Sequence, residues 1–174
     1  VGTLYHVTTV EAVAKYIAPR DILKGSGQYN NWLLGGRSDV VSFTRDKNFV
    51  VTTYSNMESN VLLSFEVDGD KLSEHKKIIP YNDLAFSQET GELIDEFIDP
   101  KYLEHEEAVV GSISHFSEYV KKVRFGVSIS SFSDILITSN SVDLKKASSY
   151  LSQFKTEYDS KLVLKRKGDF ALEY

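Results

Sequence analysis

The sequence predicts an α+β fold built as a sheet sandwich with small helices at its edges. Three observations carry this prediction. Short alternating or β-branched runs recur along the chain, turn-forming residues separate them, and only a few segments carry helix caps or helical spacing. At 174 residues, with no internal repeat and no linker, the chain reads as one domain over 1–174.

Thr3–Val7 is the opening strand. Thr8 or Thr9 caps a helix running to Ala18, with Glu11 in the first turn where the helix dipole favours an anion, and Pro19 and Asp21 close it. Residues 24–39 hold Gly25, Gly27, Asn30, Asn31, Gly35 and Gly36 and read as a long surface loop of the kind that serves as a lid. Val40–Thr44 is a second strand, and Asp46 stands where a helix reaching about Tyr54 would be capped. Asn60–Val67 is a third strand, followed by the sharp turn signal Asp68-Gly69-Asp70; Lys77–Ile79 is a fourth, stopped by Pro80. The acidic stretch 82–101 is irregular, with a short helix at 92–98. Leu103–Ile113 reads as a strand and Phe116–Lys122 as a short helix. Val123–Ser128 and Ile135–Thr138 are strands, Ser141 caps a helix to about Phe154, and Leu162–Leu164 and Phe170–Leu172 complete the sheet.

Composition narrows the function classes. A 41% hydrophobic content excludes a disordered chain, and no apolar run approaches the roughly 18–20 residues that span a bilayer. The absence of cysteine excludes disulfides, thiolate nucleophiles and cysteine zinc sites, and fits either a reducing, cytoplasmic compartment or simple indifference to redox. The chain opens at Val1 without a Met or a basic-plus-apolar leader, so it is expected to be trimmed, and a signal peptide is not assessable. Twenty basic against 25 acidic residues argue against a protein that grips nucleic acid by neutralising phosphates. Residues 89–107 hold eight carboxylates and one base, Lys101, whereas 161–167 hold Lys161, Lys165, Arg166 and Lys167 and no acid. A solvated acidic loop and a charged edge strand are one reading of the two runs, and a weak basic strip for a polyanionic partner is the other.

No phosphate-binding loop, dinucleotide glycine pattern or Gly-x-Ser-x-Gly elbow is present. His105-Glu106-Glu107-Ala108-Val109 misses the zinc-protease helix because Val109 stands where the second His belongs. Histidines at 6, 75, 105 and 115 have no metal-ligand spacing, so no metal is expected. Three segments carry chemistry instead. Tyr5-His6-Val7-Thr8 places an imidazole near the end of the first strand. Ser42-Phe43-Thr44-Arg45-Asp46 ends a strand with hydroxyls, an aromatic and an Arg. Glu104-His105-Glu106-Glu107 crowds three acids at the mouth of an apolar strand, where repulsion and desolvation cost stability and functional acids tend to sit. Each has an ordinary reading too: a satisfied structural His, an alternating strand, a surface acidic patch.

Taken in order, these segments resemble the motifs of the ADP-ribosyltransferase-like superfamily, over roughly residues 3–125. The match is closest to its small bacterial and phage-type members, including the toxin branch that modifies DNA. Tyr5-His6-Val7-Thr8 matches the family's Tyr-His-x-Thr, Ser42-Phe43-Thr44 its hydroxyl strand with Arg45-Asp46 just after, and Glu104–Glu107 its Glu motif. The resemblance implies a split β-sandwich with small peripheral helices, NAD as substrate, and mono-ADP-ribosyl transfer by a toxin or phage effector. It implies that His6 bonds a ribose hydroxyl of the adenosine half and that Thr8 helps hold the dinucleotide. Ser42 would lie by the nicotinamide ribose, with Thr44 in the cofactor-binding set. Phe43, Phe49 or Tyr54 would stack on the nicotinamide, core packing being the other fate of Phe43 and Phe49, and Arg45 would counter the pyrophosphate or pair with Asp46 at a helix start. The family's Glu-x-Glu spacing favours Glu106 as the catalytic acid with Glu104 upstream; an alignment on the apolar run favours Glu107. Trp32 and Arg37 in the loop would cover the cofactor or meet the acceptor. The acidic approach to the Glu motif, with Asp95, Glu96 and Asp99, favours a protein acceptor over nucleic acid. Two other readings stand beside this one. The first is a catalytically degenerate module of the same fold that binds a nucleotide or a host protein. The second is a relative of tRNA 2′-phosphotransferases, which the shortage of basic residues near the motifs disfavours.

Overall fold

The computed structural model of the chain describes residues 1–25, 40–47, 62–81, 106–126 and 144–159. They form a mixed α+β arrangement in which strands dominate. Seven strands make one sheet: β1 (Thr3–Thr9), β3 (Val40–Thr44), β4 (Leu62–Asp68), β5 (Ile78–Tyr81), β6 (Glu106–Val110), β8 (Val120–Phe125) and β9 (Lys155–Tyr158). Their spatial order is β5-β6-β3-β1-β4-β8-β9, and every pairing is antiparallel except β8 with β9. A two-stranded ribbon pairs β2 (Ile22–Leu23) with β7 (Ile113–Ser114). The expected strands at 135–138, 162–164 and 170–172, the loop residues 26–39 and the helices at 48–54 and 92–98 lie outside the described residues.

Period-two alternation divides the sheet into an apolar and a polar face. Leu4 pairs Val67, Phe65 pairs Val123, Leu63 pairs Phe125 and Val41 pairs Val109, and all of these are buried. They join one core with Val10, Val13, Ala14 and Ile17 after β1, Phe116 and Tyr119 before β8, and Ala147, Tyr150 and Leu151 of α3 (Leu144–Leu151). The alternate positions carry Tyr5, Thr44, Ser64, Glu66, Lys122 and Arg124.

Local signals account for most of the boundaries. Thr9 Oγ1 accepts from the Ala12 N–H at 3.2 Å and so caps α1 (Val10–Ala12), which widens into a π-helical stretch (Val13–Ile17) closed by the Ala18 N–H on the Val13 carbonyl. The Asp68-Gly69-Asp70 signal starts a helix, α2 (Gly69–Ser73), where the sequence suggested a turn. Asp68 caps it by accepting from the Lys71 N–H at 3.1 Å, since the same carboxylate chemistry serves a turn and an N-cap. Pro80 does not stop its strand, because β5 is the edge of the sheet among the described residues, a place where a residue without an N–H is tolerated. The strand expected over 103–113 breaks at Gly111 (φ +81), and the expected helix at 116–122 is one 3-10 turn (Phe116–Tyr119) that yields to β8.

Asp21 fastens the ribbon side of the core. It sits at φ 52, a conformation Asp tolerates better than most residues. Its Oδ1 accepts from the Ser117 N–H at 2.9 Å and the Tyr150 hydroxyl at 2.6 Å, and its Oδ2 accepts from the Ser117 hydroxyl at 2.6 Å. Burial alone would raise its pKa, but the bonds from Ser117 and Tyr150 outweigh it and hold the carboxyl below its ordinary 3.8. The stability this carboxylate supplies is therefore complete above about pH 4 and is lost as the pH falls through its folded value. Asp21→Ala is expected to cost about 2–4 kcal/mol, roughly 5–15 °C in melting temperature. Asp21→Asn, which keeps the left-handed tolerance, is expected to cost less and to flatten the acid limb of the stability–pH curve.

Candidate functional site

The sheet order puts the three motif strands side by side, β6 against β3 and β3 against β1. Phe43 stands opposite Glu107, and Thr44 stands opposite both Glu106 and Tyr5. One rung on from the Tyr5–Thr44 pair, His6 lies beside Phe43, with ring centroids 5.5 Å apart at 57°. His6, Phe43 and Glu107 thus form a row across three strands on the apolar face, and Thr8 follows His6 on the same face.

Glu107 is the unusual member. Only 3% of its surface is exposed, although an isolated buried carboxylate is costly. The Arg45 Nε pairs with its Oε1, from a side chain 49% exposed, while its buried Oε2 has no hydrogen-bond partner among the described residues. The pair forms because β3 ends in a local turn: Thr44 Oγ1 accepts from the Asp46 N–H at 3.0 Å, which directs Arg45 toward β6. Among the described residues, then, this buried acid has one bonded and one open oxygen.

His6 is fixed in the opposite sense. Its Nδ1 lies 3.0 Å from the Ser42 carbonyl. A carbonyl only accepts, so Nδ1 carries the proton and Nε2 presents a lone pair when the ring is neutral. Burial lowers the pKa below the ordinary 6.5, with the Ser42 bond working weakly against it. Protonation is thus harder in the folded than in the unfolded chain. The associated stability is complete above about pH 6.5 and is lost as the pH falls below that value. His6→Asn, which can keep the bond to Ser42, is expected to remove this decline; urea unfolding from pH 5 to 8 measures it.

The structure brings some of the expected site residues together and separates others. His6, Thr8, Phe43 and Glu107 share one face, and Arg45 reaches Glu107. Phe43 is buried in the core, so the stacking role expected of it does not hold: no face of its ring is open to a ligand. Thr44 stands on the other face, opposite Tyr5, and is buried. Ser42 alternates with Phe43 and is linked to His6 by its backbone carbonyl. Glu106 is placed by its backbone alone, opposite Thr44 and Tyr81. Glu104, Phe49, Tyr54, Trp32 and Arg37 lie outside the described residues. Sequence reasoning passed over Arg124, which is 1% exposed on the polar face; a Val-Arg-Phe strand reads as presenting its Arg to solvent. No group of three or more acidic, His or Cys side chains is placed to hold a metal among the described residues, and no described helix is long and apolar enough to cross a membrane.

Comparison with protein-family models, with curated proteins and with solved structures gives no match.

Proposed function

We propose that the chain is an NAD-dependent mono-ADP-ribosyltransferase of toxin or phage-effector type, with the split β-sandwich of that superfamily, acting in the cytoplasm of a bacterial cell on a protein acceptor. The observation that supports this reading best is the His6–Phe43–Glu107 row, which ends in a buried carboxylate oxygen without a partner. Breaking the nicotinamide–ribose bond leaves positive charge on the ribose as the neutral base departs with the bonding electrons. A carboxylate that accepts from the ribose 2′-hydroxyl stabilises that state more than the ground state. Glu107 Oε2 has the chemistry for this, and it shares a face with His6, so it takes the role in preference to Glu106 or Glu104. The neutral His6 Nε2 is an acceptor suited to a ribose hydroxyl of the adenosine half. The ring of Phe43 between them is 2% exposed and packed in the core, so its part is to fix the spacing of His6 and Glu107 rather than to stack on the nicotinamide. The acceptor's nucleophile then bonds to the ribose C1′ and releases its proton.

Arg45 favours a second reading. Its pairing with Glu107 occupies one oxygen of the acid, as expected of a degenerate module that binds a nucleotide without reacting. If Arg45 instead moves onto the pyrophosphate of bound NAD, Glu107 is freed for the ribose. Incubation with NAD distinguishes the two. Steady release of nicotinamide, abolished by Glu106→Gln combined with Glu107→Gln, supports the transferase. Calorimetric binding of NAD without release supports the degenerate module, and full activity in the double variant rejects the transferase.

A further inference from the structure

Arg124 is the largest fully buried side chain among the described residues, and nothing in the proposed chemistry uses it. It sits in β8 opposite Ser64, on the polar face, two strands from β1. Its guanidinium crosses that face and lies over the Tyr5 ring, 4.8 Å from the centroid. From there its Nη1 donates to the Lys47 carbonyl at 3.2 Å and pairs with Asp159. Asp159 is itself anchored, its N–H donating to the Phe125 carbonyl at 2.9 Å. Lys47 lies two residues beyond Arg45, in the turn that begins at Thr44.

We infer that Arg124 is a positioning residue that acts through Lys47 and Arg45 to set the carboxylate of Glu107. The connections run without a gap from Asp159 to Arg124, to the Lys47 carbonyl, along the backbone to Arg45, and to Glu107 Oε1. This path wraps the end of the sheet, joining the polar face, where Arg124 lies, to the apolar face, where Glu107 lies. A simple filler would serve a structural purpose better. Among the described residues, the Arg124 Nε and its cross-strand neighbour Ser64 Oγ are both buried without hydrogen-bond partners, and incomplete satisfaction of that kind costs stability that an apolar side chain would not. What an apolar side chain cannot do is hold the Lys47 carbonyl from three strands away. Arg suits the task because its flat guanidinium stacks on the Tyr5 ring while Nη1 bonds two partners; a Lys ammonium has donors enough for both but no planar face to stack, so it is held less firmly.

This inference rests on the proposed role of Glu107, and its test separates the two. In the full chain, Arg124→Lys is compared with the parent for nicotinamide release, for NAD affinity by calorimetry, and for unfolding in urea; Arg124→Met is the harsher companion. Where the parent turns over NAD, Arg124→Lys is expected to lower kcat at least tenfold while NAD affinity changes less than threefold, with more activity retained than in Arg124→Met. A kcat that falls only with the folded fraction overturns the inference. A cycle with Arg45→Met reads the same linkage without any activity. The unfolding equilibrium of Arg124→Lys/Arg45→Met is expected to depart at least threefold from the product of the single effects, because the two residues act on one turn. Additive effects overturn the inference. A parent that releases no nicotinamide removes the transferase reading, and the cycle alone then decides whether Arg124 holds Arg45 in place.

Discussion

If the chain is the proposed transferase, Glu107→Gln is expected to lower nicotinamide release by about a hundredfold to a thousandfold with little change in NAD affinity, because on that reading the lost interaction strengthens only as the ribose becomes charged. The same variant is expected to keep its melting temperature within a few degrees of the parent. The acid is 3% exposed with one oxygen unbonded, so the native chain already carries its desolvation cost, and a neutral amide relieves that cost while weakening the bond to Arg45. Loss of activity without loss of stability is the signature of a residue retained for chemistry. Glu106→Gln, at the neighbouring rung, is expected to have the smaller effect on kcat. Equal effects of the two substitutions, or a stability loss that accounts for the activity loss, would count against Glu107.

Gly25→Ala is expected to destabilise the chain by about 3 kcal/mol or more, and to lower activity with it. A Cβ at Gly25 would overlap the carbonyl group of Val40, and that neighbour is backbone. A flexible side chain could move aside at small cost, but Val40 is the first residue of β3 and is paired to Val110. Relieving the overlap means displacing the strand that carries Phe43 between His6 and Glu107. Gly25 and the first residue of β3 therefore touch, backbone against backbone. Urea unfolding measures the effect; a midpoint equal to the parent's would show that the approach of Gly25 to Val40 is not close in solution.

The parts of the fold that were legible in the sequence are those where a local pattern and the tertiary outcome coincide. Val40–Thr44 reads as a strand because its β-branched and aromatic residues suit a half-buried ladder, and it is one. The Thr9 cap and the Asp21 stop were legible because each is a property of one side chain acting on nearby backbone. β9 was not legible: Lys155, Thr156, Glu157 and Tyr158 are all exposed, so no alternation marks them, and only the docking of β8 makes them a strand. β2 and β7, two residues each, are likewise created by pairing with each other.

The site follows the same logic. His6, the Ser42 segment and the acidic cluster were visible as residue types in order. Their adjacency was not, because it depends on a strand order, β6-β3-β1, that no local pattern encodes. The choice between Glu106 and Glu107 is a question of register, and a slip of one residue exchanges the two faces of a strand. The pairing of Phe43 with Glu107 resolves which rung lies beside His6. Arg124 escaped notice because its burial depends on Lys47, Tyr5 and Asp159, none of which is its neighbour in sequence.

The most direct test of the central claim is a crystal structure of the chain soaked with NAD. The row of His6, Phe43 and Glu107 requires the dinucleotide to lie across β1, β3 and β6. One ribose hydroxyl should be within hydrogen-bond distance of Glu107 Oε2 and another near His6 Nε2, with Arg45 drawn to the pyrophosphate. NAD bound on the polar face, or density that leaves Glu107 and Arg45 paired and untouched at saturating ligand, would contradict it.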